Sequence, residues 1–159
     1  TPVGALSLLA EAILVADDDV EQVRRLMASA ERLNVQDLVT ACIRRISELE
    51  GRRFADPVER RFWEIISVFE DLLTKENGRT SRAARTREKV KRVGVVQTLD
   101  DIAASSKPSE GFRRLVDAGL SDYLFEYLVL ENPDRFTSRA VTAAGNRLTA
   151  HDLPHSRKT

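Results

Sequence analysis

At 159 residues the chain can bury the core of one domain, and its 42% apolar residues, 31% charged residues and only 7 Gly and 5 Pro are typical of a packed helical protein. Lys+Arg and Asp+Glu both number 25, so the overall charge excludes a global electrostatic attraction to nucleic acid or membrane. The single cysteine, Cys42, excludes an intramolecular disulfide and a cysteine zinc site. It favours a reducing, cytoplasmic setting.

The N-terminal stretch predicts a very apolar first helix over about residues 4 to 16. Its apolar stripe contains Leu6, Leu9 and Ile13. A stripe this wide indicates burial on most sides, or packing across a homodimer interface. The apolar run is interrupted by Glu11 and is shorter than the roughly 20 residues of a membrane span, so we predict no membrane insertion. Because the chain begins with Thr1, we expect it to be trimmed or truncated.

Two further helices are predicted from caps and apolar periodicity. Asp19 with Gln22 is typical of a capping box at the start of a second helix, which Asn34 ends in the left-handed conformation. A third helix follows and is closed by Gly51. Such short connections favour antiparallel neighbours.

The clearest local signal is the segment Asp56-Pro57-Val58-Glu59. It combines an N-cap acceptor, a proline at the first helical position and a carboxylate near the positive end of the helix dipole. The segment predicts a central core helix of about 20 residues that ends at Asn77-Gly78.

From Arg79 onward the charge of the chain changes. Residues 79–92 contain seven Lys or Arg and one acidic residue, Glu88. We predict a basic helix over residues 79–93 that docks through small side chains: Ala83, Thr86, Val90 and Val93. Its outward row comprises Arg82, Arg85, Lys89 and Arg92. Successive charges in that row lie roughly 5 to 6 Å apart, comparable to phosphates along a nucleic-acid strand. The alternative is a solvated helix neutralised by the acidic first half of the chain.

The remaining residues predict four more helices. The predicted N-terminal signals are Thr98, Pro108-Ser109-Glu110, Ser121 and Thr137, and the predicted stops are Gly119 and Asn132-Pro133. We therefore predict an all-α fold, a compact bundle of about eight helices that forms a single domain over residues 1–150. Residues 151–159 are polar and predict a disordered tail.

Residues 98–115 have the spacing of a helix-turn-helix. Asp101-Ile102-Ala103, followed by Ser109 and Gly111, resembles the second helix and the start of the recognition helix in tetracycline-repressor-type regulators. Lys107-Pro108 stands where those regulators carry a turn of Gly and an apolar residue. The resemblance implies that four side chains face the DNA major groove: Ser109, Glu110, Arg113 and Arg114.

Groups that could carry catalysis are close to absent from the sequence. His151 and His155 are separated by Pro154 in the polar tail, which disfavours a metal pair. Asp17-Asp18-Asp19 is better explained by helix capping than by cation binding. Cys42 lies on an apolar face and is predicted to be a small buried hydrophobe. We therefore predict no metal, no cofactor and no enzymatic activity, although carboxylates from different helices could still converge in a pocket.

The basic segment gives the leading functional prediction, a protein that binds DNA or RNA. The predicted contact residues are Arg79, Arg82, Arg85, Lys89, Arg92, Lys107, Arg113 and Arg114. The alternative is a helical interaction module, in which the basic helix docks on an acidic protein partner or on a second copy of the chain.

Overall fold

The computed structural model describes residues 10, 12–16 and 18–157. The predicted all-α bundle is confirmed, and no strand occurs in the described residues. Residues 12–16 are helical, and eight α-helices with defined bounds follow. They are α1 (Val20–Arg32), α2 (Gln36–Gly51), α3 (Pro57–Asn77), α4 (Ala84–Val93), α5 (Val95–Ala104), α6 (Glu110–Asp117), α7 (Phe125–Glu131) and α8 (Ser138–Ala150). Two short 3-10 helices, Ser121–Tyr123 and Pro133–Arg135, flank α7.

The helix α3 lies at the centre of the bundle, as its apolar stripe predicts. It packs along α2, which in turn packs on α1, and it also contacts α5, α6, α7 and the 3-10 helix Ser121–Tyr123. Its inward face buries Phe62, Ile65, Ile66 and Val68. Burying one side chain of this kind contributes about 1.5–3 kcal/mol relative to leaving it in water. Both halves of the bundle therefore assemble on α3.

Most helices begin or end at the predicted capping residues. The N-cap side chains each accept a backbone N–H: Asp19 from Glu21, Asp56 from Glu59 and Thr137 from Ala140. The predicted stops have the positive φ angles that end helices, at Asn34, Gly78 and Gly119. These N-caps and stops are confirmed. They could be predicted from the sequence because each depends on the chemistry of a few neighbouring residues.

Helix α8 completes the C-terminal half by packing on α5 and α7. The contact buries small or branched side chains: Ala103, Val129, Ala140 and Ala144. A buried ion pair joins the same elements, since Arg147 donates to Glu126 Oε2 at 2.7 Å and also to the carbonyl of Ser105. The pair satisfies the buried guanidinium, so neither charge can be removed without leaving the other unpaired.

The basic helix is shorter than predicted. It begins at Ala84, whereas the prediction placed residues 79–93 in one helix. Residues 79–83 form a loop because side chains of α3 satisfy the loop N–H groups: Glu70 accepts from Ala83 at 2.9 Å, and Thr74 accepts from Ser81 at 3.0 Å.

Two other predicted helix starts are wrong. Helix α5 begins at Val95 and not near Thr98, because the left-handed Gly94 lets a new helix start directly after α4. The Thr98 hydroxyl donates to the Gly94 carbonyl at 2.8 Å and therefore caps no N–H group. Ser121 begins a single 3-10 turn, and α7 starts only at Phe125.

The C-terminal residues also differ from prediction. Residues 151–157 lie against the bundle, whereas a disordered tail was expected over residues 151–159. The contacts that hold them include two with α7, the Tyr127 hydroxyl to the Pro154 carbonyl at 2.7 Å and Arg157 Nε to Glu131 at 2.6 Å. Their partners lie on α7, which the local sequence does not reveal.

Parts of three predictions lie outside the described residues. They are residues 4–9 and 11 of the first helix, together with Asp17 of the acidic run and residues 158–159 of the tail. Within the residues that are described, no helix combines the length and the apolarity needed to cross a membrane.

We expect Asp100→Ala to destabilise the fold. Asp100 is buried on α5, and its carboxylate accepts the backbone N–H of Thr137 at 2.7 Å and the Thr137 hydroxyl at 3.0 Å. Removing it leaves these donors unpaired and should lower the free energy of unfolding by about 1–3 kcal/mol, measured by urea denaturation. Asp101→Ala, at the exposed neighbour, is the control and should have a much smaller effect. Equal losses in the two variants would contradict this role of Asp100.

Candidate nucleic-acid interface

A short loop connects the core helix α3 to the basic helix α4. Helix α3 ends at Asn77 and is capped by Gly78, whose φ of +70° suits a residue without a side chain. The backbone N–H of Ser81 then donates to Thr74 Oγ1 at 3.0 Å, so the loop stays close to the end of α3. With the loop backbone fixed in this way, the side chains of Arg79 and Arg82 are exposed to solvent.

Glu70 on α3 attaches the start of α4 to the core. Its two carboxylate oxygens accept from Arg87 Nε at 2.6 Å and Nη2 at 2.7 Å, and one of them also accepts the N–H of Ala83. The Arg87 guanidinium lies 5.2 Å from the centre of the Trp63 ring. The hydrogen bond to Glu70 raises the pKa of Arg87 above its usual value. Arg87 is thus a structural residue and not part of the outward charge.

The predicted row of four charges is interrupted at Lys89. Its ammonium group contacts Asp101 on α5 at 2.8 Å, and this contact lowers the pKa of Asp101. Because the charge of Lys89 is neutralised within the fold, we exclude it from the candidate interface. The row is also not a continuous helical stripe, since Arg82 lies in the loop before α4.

Four arginines form what we call the free basic surface. Their side chains are exposed and have no ion-pair partner in the described part of the chain: Arg79, Arg82, Arg85 and Arg92. Arg85 and Arg92 lie on the same side of α4, about 10 Å apart along its axis. Glu88 is also exposed on α4 but forms no ion pair with them. The result is a local positive field that the fold leaves uncompensated.

The three cationic residues predicted near α6, which are Lys107, Arg113 and Arg114, differ in whether they form ion pairs. Arg114 donates to Glu76 at 2.8 Å and lies 3.5 Å from Glu110, so it connects α6 to the end of α3. The hydrogen bond from Arg114 lowers the pKa of Glu76. Lys107 and Arg113 are exposed and, among the described residues, unpaired. They could add to a charged surface, whereas Arg114 serves the fold.

The helix-turn-helix segment consists of α5, a turn and α6. Helix α5 packs chiefly on α8, and α6 lies on α3, where Gly111 allows close contact. A Cβ atom on Gly111 would lie only 2.9 Å from the Phe69 ring. Each helix is thus held by a different part of the bundle. The predicted major-groove face stays a prediction, and the free basic surface does not depend on it.

A cleft of about 480 Å³ opens between α3, the first turn of α4 and the start of α6, and we call it the apolar cleft. Its lining includes the apolar side chains Ile66, Phe69, Leu73, Leu115 and Phe125. Arg82 and Arg85 line the cleft from the side of α4, and Ser109 and Glu110 line it from the side of α6. Two members of the free basic surface therefore border an apolar depression, a juxtaposition that the sequence does not predict.

A second cleft of about 590 Å³, which we call the polar cleft, lies on the other side of Arg82. Three pairs of opposite charge line it: Arg24 with Asp71, Arg53 with Glu50, and Arg87 with Glu70. Asp71 is the most unusual of these groups, because its Oδ2 atom is buried without a hydrogen-bond partner. The local sequence around Glu70 and Asp71 does not reveal this cleft, because its lining includes residues from α1, α3 and the loop before α4.

The histidines and the cysteine lie apart from these clefts. His151 packs against Phe112, with ring centres 4.7 Å apart, and His155 bonds to Thr149 at 2.7 Å. Cys42 is buried, as predicted, and burial raises the pKa of its thiol to about 11. In the part of the chain that the structure describes, no three His, Cys, Asp or Glu side chains are grouped to hold a metal ion.

Comparison with known proteins finds no match: no family model fits the chain, and neither the curated proteins nor the solved structures include a significantly similar chain. Any functional interpretation therefore depends on the geometry and charge of the site itself.

We expect the stability of an Asp71→Asn variant, relative to the original protein, to increase as the pH rises from about 4 to 7. Burial raises the pKa of Asp71, although Arg24 contacts it at 3.1 Å. A carboxyl group with a raised pKa in the folded state favours folding while protonated. This contribution is complete below the unfolded pKa of about 3.9 and is lost as the pH rises through the folded pKa. Urea denaturation of both proteins across this range measures the difference.

Glu76→Gln is the control with the opposite sign. The pKa of Glu76 is lowered in the folded state, so its contribution is present above the unfolded pKa and is lost as the pH falls. Its variant should therefore lose stability relative to the original protein as the pH rises. If Asp71→Asn shows this same trend, Asp71 is not a desolvated carboxylate.

Proposed function

We propose that the protein binds nucleic acid through the free basic surface. The observation that supports this proposal is the concentration, in one short segment, of four exposed arginines that have no ion-pair partner among the described residues. Arg79, Arg82, Arg85 and Arg92 are exposed without carboxylate partners, although most arginines elsewhere in the described chain have one. Phosphates that replace the counterions of such a surface release them to the solvent, which favours binding at low salt.

The proposed surface differs from the one that the sequence predicts. It retains the four arginines of the free basic surface, with Lys107 and Arg113 as additional cations. It omits Lys89 and Arg114, because each already has a carboxylate partner within the fold. Contacts of this kind fix the position of a phosphate backbone and do not read a base sequence. We therefore propose binding to DNA or RNA with little sequence preference.

A reducing, cytoplasmic location is part of the same proposal. The single cysteine of the chain cannot form an internal disulfide. Its thiol is also buried and protonated at neutral pH, since its pKa is raised to about 11. A protein of this kind needs no oxidising compartment for its fold.

Reversing two charges of the free basic surface should remove most nucleic-acid binding. We expect Arg82→Glu with Arg85→Glu to reduce the affinity for a fluorescein-labelled oligonucleotide at low salt to near the detection limit, measured by fluorescence anisotropy. Neutral replacement of the same residues by Gln should weaken the salt dependence. The slope of log affinity against log salt is negative, and its magnitude should fall by about 2, because two phosphate contacts are lost. Circular dichroism should be unchanged, since both side chains are exposed.

The matched control is Arg25→Glu with Arg139→Glu. These arginines are exposed and, within the described residues, unpaired, and they lie on α1 and α8. The control changes the net charge by the same amount, so it should weaken binding only slightly if the free basic surface is the site.

The alternative function, docking of an acidic protein or of a second copy, is an outcome of the same experiment. If the unmutated protein binds neither single-stranded nor duplex oligonucleotides at low salt, the proposal fails. If its light-scattering mass then also exceeds one chain at low salt and falls to one chain at high salt, self-association through the basic segment takes its place.

A further inference from the structure

We infer that the apolar cleft holds an unpaired base, so that the preferred ligand is a single strand. The inference rests on the proposed function and adds to it the class of nucleic acid. It depends on one juxtaposition: the side chains of Arg82 and Arg85 border a cleft that is lined largely by apolar side chains.

The shape of the cleft suits a compact ligand. Its volume of about 480 Å³ falls within the range of roughly 300–1,000 Å³ found for small-molecule sites. Phe69 and Phe125, among the residues that line it, each retain a small exposed fraction, 8% and 9%. A flat ring that entered the cleft would cover this remaining apolar surface.

The charge pattern matches a nucleotide. A nucleotide combines a flat apolar ring with a phosphate one sugar away, and here an apolar depression lies beside two unpaired guanidinium groups. The first turn of α4 lines the same cleft. Thr86 and Ser109 offer hydroxyl groups for the edge of a base.

A duplex and an acidic peptide fit less well. In a duplex the bases are stacked and paired, so a base could enter only after unstacking, which costs energy. An acidic amphipathic helix needs an elongated groove for side chains at successive turns, whereas this cleft, with a volume of about 480 Å³, is compact. In a single strand the bases are free and the negative charge is confined to the phosphates.

Binding by the full chain can be compared for three labelled 12-nucleotide probes: a single strand, the duplex made from it, and a strand of abasic sites. We expect the single strand to bind about tenfold more tightly than the other two, as expected for one base held against apolar and aromatic groups. Ala84→Trp should reduce this preference to near equality without changing duplex affinity, because Ala84 is exposed and lines the cleft. A tryptophan there would occupy the space of the base.

The matched control is Ala28→Trp, at an exposed position on α1, which should preserve the tenfold preference. Ser109→Phe closes the cleft from the side of α6 and provides a second test if Ala84→Trp fails to fold. Equal binding of single strand and duplex by the unmutated protein overturns the inference. So does a preference for the single strand that survives either cleft-filling variant. In both cases the proposed function stands as long as reversal of Arg82 and Arg85 abolishes binding.

Discussion

The arrangement of the basic segment depends on the carboxylate of Glu70. It lies on the central helix and accepts three hydrogen bonds, one from the backbone of Ala83 and two from Arg87. The backbone bond satisfies the last residue before α4, and the bidentate pair fixes one side of the first turn against Trp63. A charged acceptor makes stronger hydrogen bonds than a neutral one, so this one side chain can hold a helix that has no buried residue of its own.

One consequence is that cationic side chains of the same segment have different roles, some in the fold and some at the surface. Arg87 is attached to the core and Lys89 to α5, while Arg82 and Arg85 on the adjoining positions have no acidic partner in the described chain. The attached residues allow the helix to carry several like charges despite their mutual repulsion. Removing the attached cations would affect the fold, whereas removing the unpaired ones should affect only what the protein binds.

The sequence predicts features that depend on neighbouring residues and fails where distant residues supply the partner. The caps at Asp56 and Thr137 and the stop at Gly78 are recognised from a few residues each, and all are confirmed. The start of the basic helix is misplaced because Glu70, thirteen positions before Ala83, decides where the loop ends. The charges of the segment are equally ambiguous in sequence, since nothing local distinguishes Lys89, which meets Asp101, from Arg85.

The same limit applies to the clefts, which are formed by helices far apart in the chain. Arg82 borders both, and the two differ in their electrostatics. In the polar cleft the carboxylates of Glu50, Glu70 and Asp71 form ion pairs with neighbouring arginines, which are therefore less available to a phosphate. On the other side of Arg82 the apolar cleft is lined largely by apolar side chains, and the guanidinium groups of Arg82 and Arg85 have no ion-pair partner among the described residues. A polyanion that reaches Arg82 should therefore bind along α4 and not in the polar cleft. On that side the apolar cleft has room for a base.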